Sequence, residues 1–242
     1  MGERRFFIGE PPRGDCAALE GSEAHHALHV LRLRPGDRAV LFDGTGMEFH
    51  AEVVELARRS VVFRVLEARR VEQLPIVRLV LLCSVVKPKA MDVLVQKCTE
   101  LGVSELWPCV TRRTSVRVAP GDDKLVAKWR RTAIEAAKQC GRNRLPAIRS
   151  VIRLEKALDE ELACAHKLLL SLSPQARPLR EELAGPSPNG LCVLVGPEGG
   201  LEETEEQAAL NAGFRPVSLG KYTLRTETAA LAIAAAILVM YQ

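Results

Sequence analysis

The sequence feature that most constrains the fold is a near-continuous apolar run at residues 76–86 of this 242-residue chain. A strand that is apolar at successive positions, and not only at alternate ones, is typical of a parallel sheet covered by helices on both faces. Residues 91–101 then repeat apolar side chains at helical spacing, and Gly102 follows in a position typical of a helix end. The next apolar run, at residues 103–110, predicts a second strand.

The same alternation of strand and helix continues along the chain and predicts an α/β domain with a mostly parallel sheet. The apolar segment at residues 226–241 is shorter than the roughly 20 residues that cross a bilayer, so it predicts a buried helix and no membrane association. The other strands are predicted at residues 167–172, 191–195 and 215–219, and the other helices at residues 122–141, 154–163 and 202–212.

Residues 1–72 have a different, β-rich pattern. The dipeptide Asp43-Gly44 between two alternating stretches predicts a β-hairpin over residues 38–53, and only residues 22–31 look helical. Several short strands separated by closely spaced turns predict a small β-barrel. We therefore predict two domains, residues 1–72 and residues 73–242.

The composition is that of a soluble globular protein, with 47% apolar and 26% charged residues. The seven cysteines are scattered and form no C-x-x-C pair, which predicts reduced thiols in a cytoplasmic protein and not a disulfide framework or a zinc site.

His25 and His29 would share a helix face, but no third ligand of matching spacing is nearby, so we predict no bound metal. The first seven residues are too short in apolar length for a signal peptide, which also favours a cytoplasmic location.

Charge is distributed unevenly along the chain. Residues 112–156 carry thirteen Lys and Arg against four acids, whereas residues 157–242 carry six against eleven. A local basic excess of this size is typical of a surface that follows a phosphate backbone, and a solvated helix face is the alternative. Arg4 and Arg5 lie beside two phenylalanines, a pairing typical of proteins that bind single-stranded nucleic acid, but ordinary surface arginines are the stronger alternative.

Three predicted strand ends in the last third of the chain are candidates for a ligand site. They are residues 170–173, the Gly-Pro-Glu-Gly-Gly turn at 196–200, and residues 219–225. Parallel sheets bind ligands beyond the carboxyl ends of their strands, and glycines let the backbone approach a ligand closely. The sequence lacks G-x-G-x-x-G and G-x-x-x-x-G-K-[ST], so the ligand is expected to be neither a conventional NAD nor a nucleoside triphosphate.

The charged side chains of this predicted site are Arg225, Glu198 and Glu227. Each carboxylate has a structural alternative. Glu198 would serve equally well to fix its loop by accepting backbone N–H bonds, and Glu227 would serve to stabilise the start of a helix.

The chain resembles the RsmE family of SPOUT RNA methyltransferases. The resemblance rests first on V-G-P-E-G-G at residues 195–200 and on L-G-x-x-x-L-R-x-E-T-A at residues 219–229. It extends along the chain through residues 97–103, residues 135–142 and the Arg-Phe-Phe at residues 5–7. Two positions depart from the family pattern: Leu201 stands where an aromatic residue is common, and Tyr222 stands where an arginine is common.

This resemblance implies an α/β protein in which an N-terminal PUA-like β-barrel precedes a SPOUT domain with a C-terminal trefoil knot. It also implies a homodimer that binds S-adenosyl-L-methionine (AdoMet) mainly through backbone groups. The apolar helix at 226–241 would then pack in the knot on one face and on a partner with another. The cofactor-binding residues implied are Leu170, Ser171, Leu172, Gly196, Pro197, Glu198, Gly199, Gly200, Leu219, Gly220, Tyr222, Leu224, Arg225 and Thr228.

The activity implied is methylation of uridine N3 in 16S ribosomal RNA of the small subunit. Uridine N3 must lose its proton before it can attack, so Glu227 or Glu198 is a candidate base and Arg225 a candidate for stabilising charge on the uracil oxygens. Three alternatives are a SPOUT enzyme that methylates the ribose 2′-oxygen, a non-catalytic RNA-binding protein and a plain anion-binding α/β module. Candidate RNA-binding residues are Arg4, Arg5, Lys87, Arg112, Arg113, Arg142, Asn143 and Arg144.

Overall fold

A computed structural model describes residues 4–72, 75–160, 164, 166–185 and 187–241. The chain forms two compact units. Unit 1 comprises Met1–Gln73 with Ala137–Leu145, and unit 2 comprises Leu74–Ala136 with Pro146–Gln242. In the part of the chain that is described, no helix is long and apolar enough to span a membrane.

Unit 1 is built on a five-stranded sheet in the order β1-β3-β4-β5-β2. The predicted hairpin is confirmed: β3 and β4 pair antiparallel from Arg38↔Glu52 to Phe42↔Glu48, and Gly44 takes a positive φ in the connection. The strands are β1 (Arg5–Phe7), β2 (Cys16–Leu19), β3 (Arg38–Phe42), β4 (Met47–Leu56) and β5 (Val61–Arg70). Helix α1 (Gly21–His25) continues directly into a π-helix (His26–Val30).

The core of unit 1 lies against one face of this sheet. Alternate residues of β3 and β4, such as Leu41 and Phe49, point to that face together with Phe63 of β5 and Phe6 of β1. Ala24 of α1 covers the same cluster. The two edge strands β1 and β2 were not predicted, because three or four residues are too short to establish a period of two.

Unit 2 contains an eight-stranded sheet whose strand pairings are all parallel. The strands are β6 (Arg78–Ser84), β7 (Glu105–Val110), β8 (Ala147–Ile148), β9 (Ile152–Arg153), β10 (His166–Leu170), β11 (Arg177–Pro178), β12 (Gly190–Val195) and β13 (Arg215–Ser218). The helices are α2 (Pro88–Glu100), α3 (Asp123–Cys140), α4 (Leu154–Asp159), α5 (Leu179–Glu182), α6 (Glu203–Asn211) and α7 (Thr226–Tyr241). The last turn of α3 belongs to unit 1.

The predicted parallel α/β architecture is confirmed. Along the sheet the order is β11-β13-β10-β12-β6-β7-β8, and β9 pairs with β7. Strand β12 lies between β10 and β6 and is buried at every residue. Apolar clusters cover both faces of the sheet, as the continuous apolar strands require. The helix predicted at 154–163 ends earlier, at Asp159, because Glu160 is extended; residues 161–163 lie outside the described residues.

This strand order decides where the site lies. Strands β13, β10 and β12 are neighbours and run in the same direction, so their carboxyl ends meet at one edge. The segments that follow these ends are the three loops identified from the sequence, 171–173, 196–200 and 219–225.

Candidate functional site

A cavity of about 320 Å³ lies at the carboxyl ends of β10, β12 and β13 in unit 2. Its apolar part is formed by the last residues of the three strands, including the buried Leu169, Val195 and Val217. The walls are Leu169, Leu170, Ser171, Leu172, Ser173, Val195, Gly196, Pro197, Glu198, Gly200, Leu201, Glu206, Val217, Leu219, Gly220, Tyr222, Thr223, Leu224, Thr226 and Ala229.

The structure brings most of the predicted cofactor-binding residues together around this cavity. Gly199, Arg225 and Thr228 are the exceptions, since they do not line it, and neither does the candidate base Glu227. The cavity also has walls that were not predicted. Thr226 and Ala229 reach it from the first turn of α7, and Glu206 reaches it from α6. Thr226 and Ala229 are three residues apart on α7, and this spacing is the sequence signal that places them on one face of the helix.

The three loops are fixed by hydrogen bonds of their own. The Thr226 hydroxyl, which is buried, donates to the Gly196 carbonyl at 2.9 Å and so joins the start of α7 to the loop after β12. In the loop after β13, Ser218 Oγ accepts the Gly220 N–H at 3.2 Å and donates to the Gly220 carbonyl at 3.1 Å. Gly220 has φ +135°, a backbone conformation that side-chain-bearing residues rarely adopt.

A buried glutamate anchors the loop after β12 to the loop after β7. Glu205 Oε2 accepts the Glu202 N–H at 3.0 Å as part of a capping box at the start of α6. Its other oxygen accepts the Arg112 N–H at 2.8 Å. In the same region Arg113 Nη1 donates to the Gly199 carbonyl at 2.9 Å. Sequence reasoning missed Glu205, which is one of four glutamates in the segment 202–206.

The candidate acids occupy different environments. Glu198 is exposed on the cavity wall, whereas Glu206 lies on the wall with its carboxylate 3.4 Å from Ser171 Oγ. Glu227 is partly buried, and within the described chain its Oε2 is shielded from solvent and has no hydrogen-bond partner. Arg225 is exposed directly before α7, where its carbonyl accepts the Ala229 N–H at 2.8 Å.

Three of the predicted RNA-binding residues lie in unit 2 and are exposed: Lys87, Arg112 and Arg113. Arg112 Nε lies 3.7 Å from the Glu202 carboxylate and 3.9 Å from that of Glu155. The assignment of Lys87, Arg112 and Arg113 to RNA contacts stays a prediction.

The predicted RNA-binding residues of unit 1 are largely committed to contacts within that unit. Arg4 pairs with Asp37 at 2.7 Å and keeps about a third of its side chain exposed. Glu72 Oε2 accepts the N–H groups of Asn143 at 2.6 Å and Arg144 at 2.7 Å. Arg5 donates to Glu48 and Asn143.

Arg142 is closely enclosed, with 9% of its side chain exposed beside Glu72. Burial lowers the pKa of its guanidinium, and the Glu72 carboxylate opposes that shift. These contacts favour a structural role for Arg142 and Asn143 within unit 1. Charge reversal at Arg142 would therefore disturb the unit itself, so Arg112 and Arg113 are the better positions for testing RNA contacts.

A metal site was not expected from the sequence. Within the described residues, no group of three or more His, Cys, Asp or Glu side chains is arranged to hold a metal ion.

Known proteins resemble this chain along its whole length. Residues 72–238 match the family described as an RNA methyltransferase domain, and residues 19–66 match an RNA methyltransferase PUA domain. Ribosomal RNA small subunit methyltransferase E of Mycobacterium bovis is 32% identical over 93% of this chain and 87% of its own. The protein of the same name from Aquifex aeolicus is 31% identical over 94% of this chain and 96% of its own.

A solved structure agrees with these relatives. Ribosomal RNA small subunit methyltransferase E from Neisseria gonorrhoeae, bound to S-adenosyl methionine, is 34% identical to this chain. It superposes with a TM-score of 0.88 and covers 99% of this chain and 98% of its own. The resemblance drawn from the sequence is thereby confirmed, as is the combination of a PUA-like domain with a parallel-sheet SPOUT-type domain. The chain belongs to the family of RNA methyltransferases that includes ribosomal RNA small subunit methyltransferase E.

Proposed function

We propose that this protein transfers the methyl group of AdoMet to N3 of a uridine in the 16S ribosomal RNA of the small subunit. The observation that carries the proposal is the cavity formed by three loops at one edge of the parallel sheet. Relatives of this chain are named as ribosomal RNA small subunit methyltransferases, and one of them has been solved with S-adenosyl methionine.

The residues of the cavity fit AdoMet in size and in charge. A volume of about 320 Å³ is within the range of small-molecule sites. Among the described residues on its walls, Glu198 and Glu206 are the only charged side chains, and both are acidic. Carboxylates favour a ligand that carries positive charge, as the sulfonium and amino groups of AdoMet do, and they disfavour a phosphate. Backbone groups and small side chains of 170–172, 196–200 and 219–224 would hold the nucleoside.

The side chains of this protein would prepare the uridine for attack. Bound AdoMet supplies an electrophilic methyl group, so no metal or further cofactor is needed for the transfer. Removal of the N3 proton is assigned to Glu227 or Glu198, and both remain candidates. Among the described residues, Glu227 Oε2 has no hydrogen-bond partner, so no other donor competes for this oxygen, which favours Glu227. Arg225 would stabilise the negative charge that develops on the uracil oxygens.

The surface of α7 supports a homodimer. Thr228, Ala232, Ala235 and Val239 form one stripe along the helix, and Val239 is 84% exposed. Small and apolar side chains in such a stripe allow two helices to approach closely. A C-terminal trefoil knot, which the family resemblance implies, is part of the same proposal.

Methylation of small-subunit particles that lack the modification tests the proposed function. Incubation with radiolabelled AdoMet should label the 16S rRNA, and mass spectrometry of the digested nucleosides should detect 3-methyluridine. Detection of a 2′-O-methylated nucleoside would favour the ribose-modifying alternative. Tight RNA binding without any label would favour a non-catalytic RNA-binding protein.

Gly220→Val should weaken AdoMet binding by about 5- to 150-fold, which corresponds to the 1–3 kcal/mol cost of an unfavourable backbone conformation. No atom lies within 4 Å of a Cβ built at this glycine, so the effect arises from its φ of +135° and not from a clash. Isothermal titration calorimetry with AdoMet provides the measurement. Gly185→Val is the matched control, because Gly185 has equally open space and no positive φ. Equal affinities for the two variants would show that the conformation of Gly220 does not shape the site.

A further inference from the structure

The chain has ten Phe, Trp and Tyr side chains, and Tyr222 is the only one that is exposed. All ten lie in the described part of the chain. Tyr222 is 71% exposed, and yet it lines the cavity. The lone exposed aromatic ring therefore stands at the mouth of the candidate active site, where its exposed surface is available to a second ligand.

Hydrogen bonds fix the backbone next to the Tyr222 ring, whereas the ring itself is exposed. The two hydrogen bonds of Ser218 Oγ to the N–H and carbonyl of Gly220 define the turn that leads into Tyr222. Lys221 Nζ lies 5.0 Å from the centroid of the Tyr222 ring, within the range of a cation–π contact. An ammonium group can cover only one face of a ring, so the opposite face is left for a planar partner.

A second exposed apolar side chain lies at the same cavity. Leu172, in the loop after β10, lines it and is 65% exposed. An aromatic ring with a neighbouring cation is the combination that binds single-stranded nucleic acid, because the ring stacks on a base while the cation attracts the phosphate. An enzyme that modifies a base must also take it out of the helical stack and give it a new surface.

We propose that Tyr222 is the stacking platform for the unstacked uracil of the RNA substrate, with Lys221 attracting the adjacent phosphate. This inference rests on the proposed function, and it deepens that proposal by naming a substrate contact. Tyr222 is a residue that positions the base and carries no proton in the reaction. The ring is therefore expected to contribute to the binding of RNA, while any contact of Tyr222 with AdoMet would be made by its backbone.

The test compares Tyr222→Phe, Tyr222→Leu and Tyr222→Ala in the methylation of small-subunit particles. We expect the KM for RNA to rise about 5- to 150-fold in the alanine variant, as the loss of one stacked base predicts. The phenylalanine variant should stay within about twofold of the unchanged protein, because it keeps the ring. The leucine variant should fall between them, since it keeps apolar contact without a planar face. The Kd for AdoMet and the molecular mass in solution should be the same in all three.

Several results would overturn this assignment. Weaker AdoMet binding in the alanine variant would place the ring on the cofactor, and a change of molecular mass would place it against a second copy of the chain. An unchanged KM in an active protein would exclude the contact while leaving the proposed function intact. Absence of methyl transfer by the unchanged protein would instead refute the proposed function.

Photocrosslinking tests the contact without relying on turnover. RNA that carries 5-iodouridine should form an adduct at Tyr222 on irradiation, because 5-iodouracil reacts preferentially with an aromatic ring stacked against it. Peptide mapping by mass spectrometry identifies the site. Adducts confined to other residues would contradict the proposed stacking.

Discussion

Arg225→Ala should lower the kcat for methyl transfer by about 100- to 1000-fold, the usual effect of removing a group that stabilises charge in a transition state. Arg225 is exposed directly before α7, and within the described residues its guanidinium makes no hydrogen bond or ion pair. It does not line the cavity, so the Kd for AdoMet should change by less than about threefold. Single-turnover methylation and calorimetric binding of AdoMet separate the two effects.

Two further variants complete this experiment. Arg225→Lys keeps the charge but loses the planar fork of donors, and it should recover only part of the rate. Arg180→Ala removes another exposed arginine, in α5, and should leave kcat unchanged. A normal kcat in Arg225→Ala would remove Arg225 from the proposed mechanism, and a large loss of AdoMet affinity would reassign it to cofactor binding.

Glu205→Ala should destabilise unit 2 by about 3–4 kcal/mol, because two backbone N–H groups lose a charged acceptor. The side chain is buried and accepts hydrogen bonds from Glu202 N–H and Arg112 N–H. For a protein of this size, such a loss lowers the Tm by about 6–16 °C. Differential scanning calorimetry measures the shift.

Glu203→Ala is the matched control, since Glu203 lies in the same first turn of α6 but is exposed. Its Tm should fall by less than about 2 °C, as expected for a surface change. Equal shifts in the two variants would mean that helix-start charge, and not the buried hydrogen bonds, accounts for the stabilisation.

The architecture of unit 2 could be predicted because its strands and longer helices carry strong periodic signals. The apolar run that contains β6 and the helical spacing of α2 are examples. The elements that were missed, such as β8, β11 and α5, have two to four residues and owe their conformation to their neighbours in the sheet. Sequence reasoning has no signal for elements of that length.

The cavity was predictable where it consists of loops and unpredictable where it consists of helix side chains. The rule that ligands bind at the carboxyl ends of parallel strands identified 196–200 and 219–225. Glu206, in contrast, belongs to an acidic stretch in which no local feature distinguishes a wall residue from a solvated one. Tertiary packing alone makes that distinction.

The environment of the basic stretch at residues 112–156 also depends on tertiary contacts. Residues 112–156 read as one charged surface, but Asn143 and Arg144 are held by Glu72, some 70 residues earlier. Nothing in local sequence connects positions so far apart. The domain boundary predicted after residue 72 does not anticipate that residues 137–145 join unit 1.

The position of β12 has a consequence for how the protein is made. During synthesis, β6 emerges more than 100 residues before its partner β12, so one hydrogen-bonding edge of β6 has no native neighbour for much of translation. An uncovered apolar edge attracts other chains, and pairing across such a distance in sequence is slow. Since β12 also leads into one of the three loops, the pocket proposed for the methyl donor cannot form before this central strand has entered the sheet.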